Sequence, residues 1–183
     1  MKEKVIQNKG IITLIAAIVS AALLVPSFIS FFGDEINDVN VVRLVIYCLI
    51  LTTDLLFICY YVAKKEFDLK ALIAPVILFY GAGITSNIFD TIKYNSWTAV
   101  FYAALYAAVL ILYLIYYFNK SKNLKIALYV LLLICIVFNV LGVFTGSAIE
   151  CSRLIINLII IGNLYLIPQG GDNEWEKQQS HRW

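Results

Sequence analysis

Asp54 is the residue from which any chemistry must be argued. It sits near the centre of an apolar stretch, residues 41–62, VVRLVIYCLILTTDLLFICYYV. About 20 apolar residues cross a bilayer core. A carboxylate at that depth is expensive and marks a pathway, a binding site or a buried pair. Helical spacing places Arg43, Tyr47 and Asp54 on nearly one face, running from a cation through a phenol to an acid. From Val42 to Asp54 the rise is about 18 Å, which reaches the bilayer midplane. The expectation is a polar track lining a cavity open to the outside, with Asp54 binding a cation, a proton or a substrate amine. The alternative is a protonated Asp54 hydrogen-bonded to a neighbouring helix. Thr52 and Thr53 are expected to extend the polar patch beside it.

Asparagines interrupt the later apolar runs at Asn139, Asn157 and Asn163. Such side chains glue helices together, at about 0.6 kcal/mol each, or line the cavity that holds Asp54. The expected substrate-binding set is therefore Asp54, Tyr47, Arg43, Asn157 and Asn139. Glu150 and Arg153, three residues apart, can pair on one helix. With Arg43 and Asp90 they can form an outer vestibule for a charged solute. Rise arithmetic separates Asp54 from Glu150 by about 15 Å in height.

Catalytic constellations are missing from the sequence. The single histidine, His181, lies in the tail, and no Ser-His, Cys-His, HExxH or phosphate-cradling pattern occurs. The expectation is a protein that is not an enzyme. Cys48, Cys59, Cys135 and Cys151 form no Cys-x-x-Cys pair, so neither a metal nor another cofactor is expected.

The elements that must position these residues follow from composition. Of 183 residues, 62% are hydrophobic and 14% charged. Soluble domains carry about 25% charge. Lipid must therefore be the solvent, which requires helices or a closed barrel. The apolar runs lack two-residue alternation, which selects helices. The predicted fold is an all-α, polytopic integral membrane bundle over residues 1–168, with a flexible cytoplasmic tail at 169–183. Six transmembrane helices are expected at 11–32, 41–62, 71–89, 98–118, 126–144 and 148–167. Between them lie the acidic loop GDEINDVN, the basic turn AKKEFDLK, the connection TIKYNSW, the basic turn NKSKNLK and a tight TGS. The first run continues to Phe32, too long for a signal peptide core. Pro168 ends the sixth.

Alternating spans place eleven Lys and Arg on the N-terminal side, and Arg43, Lys93 and Arg153 on the other. Positive loops stay inside, so both termini are predicted to be cytoplasmic in a multi-pass protein of the cell membrane. Tyr60, Tyr61, Tyr116 and Tyr117 are expected in an interfacial aromatic belt, and Tyr102, Tyr106, Tyr113 and Tyr117 on one side of the fourth span. A net charge of +2 gives no reason to expect nucleic acid.

The partners expected are the lipid bilayer, a small-molecule solute, and a membrane protein docked on an Ala-rich face. Those faces are Ala16, Ala17, Ala21 and Ala22 in the first span and Ala103, Ala104, Ala107 and Ala108 in the fourth. The length, the six spans, the cytoplasmic termini and the motif Ala17-x-x-x-Ala21 resemble the substrate-binding S-components of energy-coupling-factor vitamin transporters. That resemblance implies contact between the alanine motif and a coupling subunit. The functional expectation is a transport or solute-binding membrane subunit, with a polar cavity joining Asp54, Tyr47 and Asn157. The rival is a non-catalytic assembly or regulatory protein, expected as a closed, dry bundle.

Overall fold

A helix in lipid turns its large apolar side chains outward and its small and polar ones inward, because the tails satisfy no polar group. The first helix obeys this pattern. Thr13, Ala17, Ser20 and Leu24 are buried at helical spacing, whereas Ile12, Ile15, Val19 and Ile29 are exposed. In the computed structural model, which describes residues 2–31, 38–64, 69–144 and 146–166, the described chain is all-helical. The elements are α1 (Lys2–Ser30), α2 (Asp38–Lys64), α3 (Leu69–Tyr94), α4 (Trp97–Asn119), α5 (Lys122–Val143) and α6 (Ala148–Leu166). All six are long and apolar enough to cross a membrane. Residues 33–37 of the acidic loop, 65–68 of the basic turn, Pro168 and the tail at 169–183 lie outside the described residues.

Consecutive helices pack side by side, and α6 returns to α1, which closes a ring. One further contact, between α3 and α6, crosses it. This pattern of principal contacts maps onto itself when α1–α3 exchange places with α4–α6. We call the end carrying the α1–α2, α3–α4 and α5–α6 connections the distal end.

Two connections are shorter than the sequence suggests. TIKYNSW reads as a seven-residue link, yet α3 continues to Tyr94 and only Asn95 and Ser96 separate it from α4. Asn95 adopts φ 50°, a left-handed conformation that asparagine tolerates at a helix end. Ser96 then caps α4, its side chain accepting from the Ala99 N–H at 3.4 Å. NKSKNLK contracts in the same way to Lys120 and Ser121. Lys120 adopts φ 45°, and its N–H bonds the Tyr116 carbonyl at 2.8 Å. Hydropathy sees where lipid ends, and a helix continues past that point when its caps allow. The α5–α6 turn needs a positive φ, which Gly146 supplies at 80°.

Tyrosines on α4 divide by face. Tyr106 and Tyr113 are buried and Tyr102 and Tyr117 half-buried, on the side their spacing predicts. Tyr116 departs from the expected aromatic belt: it is 1% exposed and packs in the core. The belt assignment rested on position along the span, and α4 turns this ring inward instead.

Candidate functional site

Asp54 is fully buried where α1, α2 and α6 meet. The Ser20 hydroxyl donates to Asp54 Oδ2 at 2.8 Å, and the Ser20 and Ser152 hydroxyls share a bond of 2.6 Å. Asp54 Oδ1 has no partner among the described residues. Thr52 and Thr53 do not enlarge this patch. Each hydroxyl bonds a carbonyl four residues back, Cys48 O at 2.7 Å and Leu49 O at 2.9 Å, as threonine does inside helices.

The height separating Asp54 from Glu150 is smaller than the rise arithmetic suggests. Asp54 is tied through Ser20 to Ser152, and Ser152 is only two residues, about 3 Å of rise, from Glu150. The sixth helix starts deeper in the bundle than its apolar run implies.

A second polar cluster joins α3, α5 and α6. Tyr80 donates its hydroxyl to Asn157 Oδ1 at 2.5 Å. Asn157 Nδ2 donates to Asn139 Oδ1 at 2.9 Å and to the Arg153 carbonyl at 3.0 Å. Asn139 Nδ2 donates to Glu150 Oε2 at 2.8 Å, and Arg153 donates to Glu150 Oε1 at 2.5 Å. The expected Glu150–Arg153 pair is thus made, and both carboxylate oxygens of Glu150 are engaged. The Tyr106 ring on α4 meets Tyr80 edge-on at 5.7 Å, so a fourth helix touches the cluster. Gly83 makes that approach possible, because a Cβ there would overlap the Tyr106 ring. Buried polar groups in low dielectric hold helices firmly only when each finds a partner, and Tyr80, Asn139, Asn157 and Glu150 all do.

Distal to this cluster the bundle opens. Two cavities, of about 510 and about 500 Å³, share Arg43, Asp90, Glu150 and Arg153 in their walls. They meet along these four residues, and we call them the two lobes of a vestibule. One lobe adds Tyr94, Tyr102 and Tyr106; the other adds Tyr47, Asn40 and Ser86. Among the described residues neither Arg43 nor Asp90 makes an ion pair or a side-chain hydrogen bond, whereas Arg153 and Glu150 hold each other.

The five residues expected to bind substrate fall in three places. Arg43 and Tyr47 line the vestibule. Asn139 and Asn157 lie beneath it, in the second cluster. Asp54 stands apart, in the first. Among the described residues neither lobe is lined by Asp54 or Asn157, so neither lobe joins these two to Tyr47. Sequence reasoning passed over Ser20, Ser152 and Tyr80. A serine or tyrosine within an apolar run gives no signal of its own, and only the helix pairing supplies its partner.

A larger apolar groove, about 990 Å³, is lined by α1 and α6 together with Tyr129 of α5. At its base Asn163 donates to the Thr13 hydroxyl at 3.3 Å and to the Ile159 carbonyl at 2.8 Å. Ala17 of the Ala-x-x-x-Ala motif is fully buried in the core and Ala21 half-buried, while Ala22 is exposed. Of the alanines on the expected face of α4, Ala103, Ala107 and Ala108 are half-buried and Ala104 is exposed. No protein-family model, curated protein or solved structure matches the chain.

Proposed function

We propose that this protein is a membrane-embedded solute-binding or transport subunit without catalytic activity of its own, and that its site is the distal vestibule. The observation that carries this reading is the shared wall of Arg43, Asp90, Glu150 and Arg153 between two open lobes. Charges of both signs converge in one concavity, and a hydrogen-bonded floor holds Arg153 and Glu150 in place. Small-molecule sites have this form and occupy about 300–1,000 Å³. The excess of Lys and Arg on the other side of the membrane turns the vestibule outward, with both termini in the cytoplasm. Asp54 then belongs to the helix packing beneath the site and not to the site itself.

A second reading rests on Asp54. Its closed cluster with Ser20 and Ser152 is the arrangement of polar glue, as a non-catalytic assembly or regulatory protein would use. Thermal unfolding of the purified protein with amines, organic acids, amino acids and vitamins separates the two. Stabilisation by a solute, weakened when Arg43 is replaced by Gln, supports binding in the vestibule. No response to any compound returns the weight to assembly.

A further inference from the structure

We propose that the vestibule takes a small zwitterion, its anionic group on Arg43 and Arg153 and its cationic group on Asp90. This rests on the solute-binding reading and names the class of solute.

The inference comes from counting which charges are already satisfied. Glu150 is the better satisfied carboxylate, since Arg153 and Asn139 each donate to one of its oxygens. Arg153 is different. A guanidinium offers five N–H donors in a planar fork. Only the bond to Glu150 is made among the described residues, although the Arg153 side chain is just 12% exposed. Donors so nearly buried are costly when nothing accepts from them. They face the vestibule, since Arg153 lines both lobes. A carboxylate or phosphate suits them, because such groups accept two parallel bonds from arginine.

The pair Arg153–Glu150 is neutral as a unit. Arg43 and Asp90 remain, one positive and one negative, both lining both lobes and neither in an ion pair within 4 Å among the described residues, although the Asp90 charge also acts on Arg153. A simple anion would leave Asp90 uncompensated beside it, and a simple amine would leave Arg43. One molecule carrying both charges satisfies both walls. Lobes of about 500 Å³ admit a solute the size of an amino acid with room for its side chain. Free α-amino acids and zwitterionic lipid headgroups share this chemistry.

The test uses the full chain in detergent. Thermal unfolding is followed with the common L-α-amino acids, glycine betaine, glycerophosphoethanolamine and glycerophosphocholine. The expected result is a rise in Tm with at least one of these, and none with the analogue of that compound lacking one of its two charges. A response confined to the amino acids or betaine identifies a free solute; one confined to the glycerophospho compounds identifies a lipid headgroup. Arg43→Gln and Asp90→Asn should each raise the half-maximal concentration about tenfold, the scale of one charged hydrogen bond. Arg43→Gln should keep the ligand-free Tm, because its side chain makes no ion pair among the described residues. Equal stabilisation by a singly charged analogue overturns the proposal while leaving solute binding intact. Failure of every zwitterion alongside a response to another class does the same. Silence across all classes overturns both.

Discussion

Replacing Asn157 by Leu tests whether the second polar cluster holds the bundle together. Asn157 is fully buried. The substitution keeps the number and branching of side-chain heavy atoms, is somewhat larger, and removes three bonds, to Tyr80, Asn139 and the Arg153 carbonyl. The last lies within α6. The first two cross between helices and leave the Tyr80 hydroxyl and the Asn139 carbonyl without these partners. Interhelical hydrogen bonds in membrane proteins average about 0.6 kcal/mol and reach about 1.7, so two of them give about 1–3 kcal/mol. The better helix propensity of Leu offsets a few tenths of this. Unfolding of the detergent-solubilised protein, followed by helical circular dichroism, measures the loss. A double-mutant cycle with Tyr80→Phe isolates the shared bond, for which a coupling of about 0.6–1.7 kcal/mol is expected. A Leu variant as stable as the parent, or a cycle with no coupling, would refute the structural role of this cluster.

Asp54→Asn keeps the shape and the acceptor that Ser20 needs, and it should change stability by less than about 1 kcal/mol; a loss above about 3 kcal/mol would mean that an ionised, paired carboxylate had been broken. Gly83→Ala should cost about 1–3 kcal/mol, because the added Cβ overlaps the Tyr106 ring. Gly81→Ala, where a Cβ meets nothing within 4 Å, should be neutral or stabilising by up to about 1 kcal/mol; equal losses at the two positions would show that the α3–α4 approach does not decide the cost. Reporter fusions after Ser121 and at the C-terminus should both report the cytoplasm. An external signal from either would reverse the orientation of the vestibule.

The number and type of helices were legible because each apolar run is long enough to cross a bilayer, and six described helices match those runs. Each span is a run of side chains that no water-facing surface would tolerate. Helix ends were less legible. Lys93, Lys122 and Lys125 are polar enough to end an apolar run, yet they continue the helix, since the stops are set by Asn95 and Lys120 in left-handed conformations. Glu150–Arg153 was legible as a local pair, because its geometry is fixed by a spacing of three. Asp54 was legible as a buried acid and misleading as a cavity floor. Its nearest polar groups, Ser20 and Ser152, lie 34 residues before and 98 after it, and no periodicity links them.

The vestibule itself comes from a mismatch of helix lengths. α6 has 19 residues against 29 in α1 and 27 in α2. The bond between Ser20 and Ser152 fixes their register. Ser20 lies about 15 Å below the distal end of α1, and Ser152 about 6 Å below the start of α6. The start of α6 is therefore recessed by about 9 Å from the end of α1. Its first two turns carry Glu150 and Arg153, so these charges form a floor and not a rim. Glu150 also sits in the first turn of the helix, where a carboxylate faces the positive end of the macrodipole. Height assigned from apolar runs alone assumes that every span starts in one plane. That assumption produced the 15 Å separation between Asp54 and Glu150, and relaxing it for one short helix brings the two polar clusters to adjacent levels beneath a charged well.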